Sequence, residues 1–158
     1  MRPPLARIKQ KLSHEEAIEV LESSLRGVLS VNGRDGYPYA LPINHYYNKE
    51  DGKIYFHSGK AGYKLDCIKD SDKACFTVID NGVRKEGDWW LTIRSVIAFG
   101  KIERIDDPET ILRISRKLSY KFTSDDAYID REIEKYAAAT ALLSFTPEEI
   151  SGKVVREK

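Results

Sequence analysis

Cysteine is scarce in this chain. Only Cys67 and Cys75 occur, too far apart for a Cys-x-x-Cys metal or redox site and too few to staple a domain. Both read as ordinary small residues. Charge of one sign is missing as well: 26 basic residues stand against 25 acidic ones, a net charge of +1. Such a balance provides no long-range field for gripping a polyanion or an anionic membrane surface, so neither a nucleic-acid partner nor a membrane is expected. No apolar run approaches the ~20 residues that a bilayer span requires. The basic, proline-containing start Arg2-Pro3-Pro4 has no apolar signal core behind it, and a cytoplasmic protein is expected. Neither Gly-x-Gly-x-x-Gly nor Gly-x-x-x-x-Gly-Lys-[Ser/Thr] is present, which removes the main support for a dinucleotide-binding sheet or a P-loop. Internal repeats and linkers are absent too. With 158 residues at 41% hydrophobic composition, one compact domain over 1–158 is expected.

What is present is a succession of short strands with helices between them. Ser13-His14-Glu15-Glu16 has the pattern of a capping box and opens a helix with Ile18 and Leu21 on its apolar face. The period then changes. Val28-Leu29-Ser30-Val31, the turn residues Asn32-Gly33 and Asp35-Gly36, and an extended stretch from Tyr37 to Tyr47 read as a hairpin. In that stretch Tyr39, Leu41, Ile43, His45 and Tyr47 share one face, and Ala40, Pro42, Asn44 and Tyr46 the other. Pro42 lacks an amide hydrogen and demands an edge or a break in the ladder. After Asp51-Gly52 a strand returns over 53–58, and another follows over 74–79. A long strand is expected from Trp89 to about Ile105, with Leu91, Ile93, Ile97 and Phe99 on one face and a bulge or sharp bend at Gly100, where the apolar parity changes to Ile102. Trp89 and Trp90, adjacent on a strand, would face opposite sides. Asp107-Pro108-Glu109 starts a helix with Ile111, Ile114 and Leu118 as its stripe. A second begins after Ser124, and the remainder reads as strand interrupted at Pro147. Hairpin-linked strands with helices at the edges argue for an antiparallel α+β barrel rather than a parallel sheet.

The segment Tyr55-Phe56-His57-Ser58-Gly59-Lys60-Ala61-Gly62-Tyr63-Lys64 carries the most chemistry. At a strand-to-helix junction, unpaired amides, flexible glycines, a serine hydroxyl and the lysines Lys60 and Lys64 together suit a phosphate; a solvated basic turn is the plainer alternative. No Ser-His-Asp or paired-carboxylate arrangement is seen. A metal set drawn from His45, His57 and Cys67 or Cys75 would need a convergence that the spacing does not predict, so no metal is expected.

Tyr37-Pro38-Tyr39-Ala40-Leu41-Pro42-Ile43-Asn44, then Ile54 to Ser58, then Gly62-Tyr63-Lys64, then Arg94-Ser95-Val96-Ile97-Ala98-Phe99-Gly100 resemble, in order, the motifs of the pyridoxamine 5′-phosphate oxidase-like superfamily. Its nitroimidazole-resistance branch is the nearest in pattern, and the resemblance runs from about Leu21 to Lys153. It implies an antiparallel split β-barrel of Greek-key type with peripheral helices, forming a homodimer with flavin mononucleotide (FMN) in a groove between subunits. By position, Leu41, Pro42, Ile43 and Asn44 meet the isoalloxazine edge, largely through backbone, with the Asn44 side chain nearby. His57 and Ser58 lie near the ribityl-phosphate end, Lys64 pairs with the phosphate beside Gly62 and Tyr63, and Ser95 and Val96 approach the ring system.

The activity implied is an FMN-dependent oxidoreductase. A nicotinamide cofactor supplies electrons to a small acceptor such as a nitro-aromatic, with His57 as the candidate catalytic residue beside the alternative of a structural histidine. Relatives that oxidise pyridoxamine phosphate carry an arginine where this chain has Tyr63, so that activity stays an alternative. A non-catalytic flavin or haem carrier on the same barrel is another, since a fold does not fix a function. A nucleic-acid-binding barrel is opposed by the near-zero charge.

Overall fold

The computed structural model describes residues 2–158; Met1 lies outside them. Local chemistry fixes the helices. At Ser13 both halves of the capping box form, with Ser13 Oγ accepting from the Glu16 amide at 3.2 Å and Glu16 Oε2 accepting from the Ser13 amide at 2.7 Å, and α1 (His14–Ser23) follows. Asp107 accepts from the Thr110 amide at 2.9 Å to start α3 (Pro108–Ser119), and Asp125 accepts from the Tyr128 amide at 3.0 Å to start α4 (Asp126–Tyr136). The short α2 (Tyr63–Asp70) is entered differently, through Gly62. Among the described residues no helix is long and apolar enough to cross a membrane.

Seven antiparallel strands form one sheet: β1 (Arg26–Asn32), β2 (Pro38–Asn44), β3 (Tyr46–Asn48), β4 (Lys53–Gly59), β5 (Lys73–Ile79), β6 (Thr92–Ile105) and β7 (Thr140–Arg156). Their order is β2-β1-β5-β6-β7-β4-β3. β2 and β3 are separated in sequence by His45 alone and yet occupy the two opposite edges. The sheet must therefore curl until its edges meet at that residue, which makes the fold a split β-barrel with peripheral helices. Leu29, Ile54, Phe56, Phe76, Val96 and Phe145 fill its interior, and α1 adds Ala17, Val20 and Leu21.

The extended stretch expected over 37–47 is thus two strands that bend at His45, and Pro42 sits on an edge strand, where its missing amide costs no ladder bond. Trp89 and Trp90 precede β6 rather than belonging to it. Their rings pack edge to face at 5.9 Å, with Trp89 72% exposed, so strand alternation does not govern them. The register does shift between Phe99 and Gly100, but the extra residue is Glu148 on β7: Phe99 pairs with Glu149 and Gly100 with Pro147. Alternation on β6 never breaks. Val96, Ala98, Gly100 and Ile102 face inward throughout, while Ile97 and Phe99 form the outer face. A Cβ on Gly100 would collide with the Thr146 carbonyl, and Pro147 is accommodated at the bulge instead of ending the strand.

Candidate functional site

The seam at His45 positions the strand on which the site is built. His45 is fully buried; its Nε2–H donates to the Leu21 carbonyl at 2.7 Å, and its ring meets Phe76 edge-on at 4.9 Å. Burial, with the Lys121 charge nearby, pushes its pKa down to about 4, so the imidazole is neutral. Lys121 donates to the carbonyls of Ser24 at 2.7 Å and His45 at 2.6 Å, tying the end of α1 to the bend. Burial lowers its own pKa to about 8.

Immediately before that bend, β2 is a sheet edge, and alternate residues on such an edge keep unpaired backbone groups. Leu41 and Ile43 turn inward against the core, while Pro42 and Asn44 turn outward. Pro42, Ile43 and Asn44, together with Arg26, His57 and Leu118, line an open groove of about 470 Å³, within the roughly 300–1,000 Å³ usual for small-molecule and cofactor sites. His57 reaches it from β4. Its Nε2 lies 2.8 Å from Ser115 Oγ of α3, and burial lowers its pKa. Ser58, the next residue on β4, faces the other way, on the side of Ile54 and Phe56.

Beyond Gly59, at the same end of β4 as His57, the chain turns a corner into α2. Gly62 adopts φ 136° and ψ 166°, a conformation that strains any side chain, and supplies no side-chain cap, so the first amides of α2 lack that partner. Lys64 is partly buried, burial lowers its pKa, and among the described residues its ammonium has no ion pair or hydrogen bond. Tyr63 is committed elsewhere: its ring packs edge-on against Tyr39 at 5.0 Å, and its hydroxyl oxygen accepts from the Arg34 amide at 2.9 Å. Arg34 in turn grips Asp70 at 2.6 and 3.0 Å, bracing α2 against the β1–β2 turn.

The residues singled out in the sequence therefore fall into three places in one chain. Pro42, Ile43, Asn44 and His57 share the groove. Gly62, Tyr63 and Lys64 form the corner. Ser95 and Val96 lie on β6. The Val96 side chain is fully buried in the core, between Val78 on one neighbouring strand and Gly152 on the other. Ser95 points outward. Sequence reasoning missed Arg26, Leu118 and Ser115. For Ser115 a signal existed, since a serine interrupts the buried stripe of α3 between Ile111 and Leu118. Among the described residues no group of His, Cys, Asp and Glu side chains is placed to hold a metal ion.

Residues 13–154 match the pyridoxamine 5′-phosphate oxidase family. The chain belongs to that family. Several solved structures share its fold. A candidate 5-nitroimidazole antibiotic resistance protein of Bacteroides thetaiotaomicron matches with a TM-score of 0.73 at 19% identity, over 92% of this chain and 87% of that one. An FAD-binding protein of Mesorhizobium loti matches with a TM-score of 0.67 at 20% identity, over 92% of this chain and 97% of that one. An FAD- and haem-binding protein of Mycobacterium smegmatis matches with a TM-score of 0.68 at 20% identity, over 92% and 73%. No curated protein matches the chain.

Proposed function

We propose that this family member is an FMN-binding flavoprotein that works as a homodimer and passes electrons from a nicotinamide cofactor to a small acceptor, nitro-aromatics among them. The observation that carries the reading is Lys64: a desolvated ammonium without a protein partner, beside helix amides that lack a side-chain cap, is suited to an anion such as a phosphate. The neighbouring groove supports it. The β2 edge from Leu41 to Asn44 offers backbone donors and acceptors, apart from the missing amide of Pro42, to the heteroatoms of a planar ring, and Asn44 adds a side-chain amide. Ser58 and Gly62 lie along the path between groove and corner in sequence. When bound, the flavin supplies the redox chemistry. The chain's own residues orient it and shield it from water, and His57, neutral and held by Ser115, presents an imidazole to the groove.

The homodimer reading is supported by the outer face of the sheet. Pro42, Val28, Thr77 and Ile97 lie side by side across β2, β1, β5 and β6, and Val28 and Ile97 remain 41% and 37% exposed. A contiguous row of this kind on a sheet is suited to covering by a second copy. Ser95, outward on β6, would then reach the partner's groove. The haem alternative, raised by the likeness to a haem-binding structure, finds less support in the histidines near the groove: the Nε2 atoms of His45 and His57 already contact Leu21 and Ser115, and the third, His14, lies exposed on α1.

Sizing chromatography of flavin-loaded protein, followed by anaerobic addition of a reduced nicotinamide cofactor, tests the reading. A loaded dimer whose oxidised flavin band bleaches is expected. A loaded monomer contradicts the shared groove, and a dimer whose flavin bleaches with neither nicotinamide cofactor contradicts the oxidoreductase and leaves the carrier.

A further inference from the structure

His57 lines a second pocket as well as the groove. Around about 220 Å³, β4 contributes His57, α3 contributes Ile111, Leu112 and Ser115, and α4 contributes Glu132 and Ile133. The pocket is a half-open cleft whose rim residues Leu112 and Tyr136 remain 47% and 48% exposed, so a guest can enter it from solvent. Roughly 150 Å³ of apolar space is enough for a benzene-sized guest, so this pocket has room for one ring with a short substituent. Its chemistry is lopsided. Ile111, Leu112 and Ile133 supply apolar wall, and the Ser115 hydroxyl is taken up by His57 at 2.8 Å. Glu132 is the charged group of the lining, partly buried and without an ion pair among the described residues, whereas the α4 carboxylates Asp126 and Asp130 both pair with Arg116. A carboxylate left unpaired beside apolar wall repels anions and favours a guest with an apolar body and a positive charge.

We propose that the cavity between α3, α4 and β4 is a second ligand site, separate from the groove, which takes a small monocyclic organic cation, a ring bearing an ammonium group, and places it against His57. The site and the groove share that imidazole as a common wall, so a guest in one is sensed by the other through the His57–Ser115 contact.

Titrations followed by NMR, with benzylamine, benzyl alcohol and benzoate as probes, decide the matter. Benzylamine is expected to move the His57 ring signals and the backbone signals of Leu112 and Ile133, binding roughly two- to fivefold tighter than benzyl alcohol, as one partly screened ammonium–carboxylate contact gives, with benzoate weakest. Glu132→Gln should bring benzylamine level with benzyl alcohol, and Leu112→Trp, at a half-exposed position, should fill the pocket and abolish both. Equal binding of benzylamine and benzoate, an unmoved His57 ring, or indifference to both substitutions overturns the proposal. The ring signals are read in flavin-free and flavin-loaded protein alike, so a chain that binds no flavin still answers the question.

Discussion

Lys64 and Lys121 are the same side chain in two regions of one barrel, and burial lowers the pKa of both. At the seam, Lys121 is satisfied by two carbonyls that it holds together, those of Ser24 and His45. At the corner, Lys64 stands beside a helix start that has no side-chain cap and has no partner among the described residues. A desolvated charge without a partner is costly to keep. The seam uses its charge to close the barrel, whereas the corner keeps donors that only something outside the chain can satisfy. Region, not residue type, separates a lysine that ties the barrel together from one left without a protein partner.

The comparison is broken most forcefully from the seam side with acid. The folded pKa of His45, about 4, lies below the ordinary value of 6.5. Between those values the unfolded chain binds a proton that the folded one refuses, so stability falls as pH drops through the window, by about 3 kcal/mol in all. Urea unfolding of the native chain and of His45→Gln from pH 7 to 4 checks this, and the variant should lack that part of the acid limb. On the corner side, Lys64→Ala should weaken FMN binding by about 1.5–3 kcal/mol through loss of a charge-assisted contact, while the unfolding midpoint of the flavin-free chain stays level or rises slightly, since Lys64 holds no protein group and its partly buried charge is relieved. Gly62→Ala forces a side chain into a positive-φ position and should cost about 1–2 kcal/mol of folding stability, read by thermal or urea unfolding. The smallest effect is again at the seam, where Lys121 is only partly buried and solvent screens much of its shift. Folded Lys121 loses its proton near pH 8, before the unfolded chain does near 10.5, so stability should rise modestly between those values as the burial penalty is relieved; Lys121→Met should remove that rise.

Much of the frame was legible beforehand because it rests on short-range rules. The capping residues Ser13 and Asp107, the outward-facing Pro42 and Asn44, and the register shift beside Gly100 all follow from sequence neighbours. What escaped depends on residues far apart in the chain. The bend at His45 is dictated by Leu21 and Lys121, 24 and 76 positions away. The bulge belongs to β7 although its mark in the sequence, a change of apolar parity, is on β6; that change reflects an outer face that is apolar up to Phe99, not a break in the strand. The pleat turns the Val96 side chain into the core, a direction that its place in the motif does not give. Of the candidate site, the strand pattern gave only which way the β2 residues face, and the family resemblance pointed to them and to His57. Ser115, which holds His57, comes from a helix 58 positions away.

The most direct test of the corner compares FMN with riboflavin, which lacks the phosphate, in fluorescence titrations of the native chain and of Lys64→Ala. If Lys64 and the uncapped start of α2 hold the phosphate, the native chain prefers FMN strongly, and the variant loses most of that preference while binding riboflavin as before. A variant that keeps the full preference for FMN, or a native chain that binds the two alike, contradicts the account.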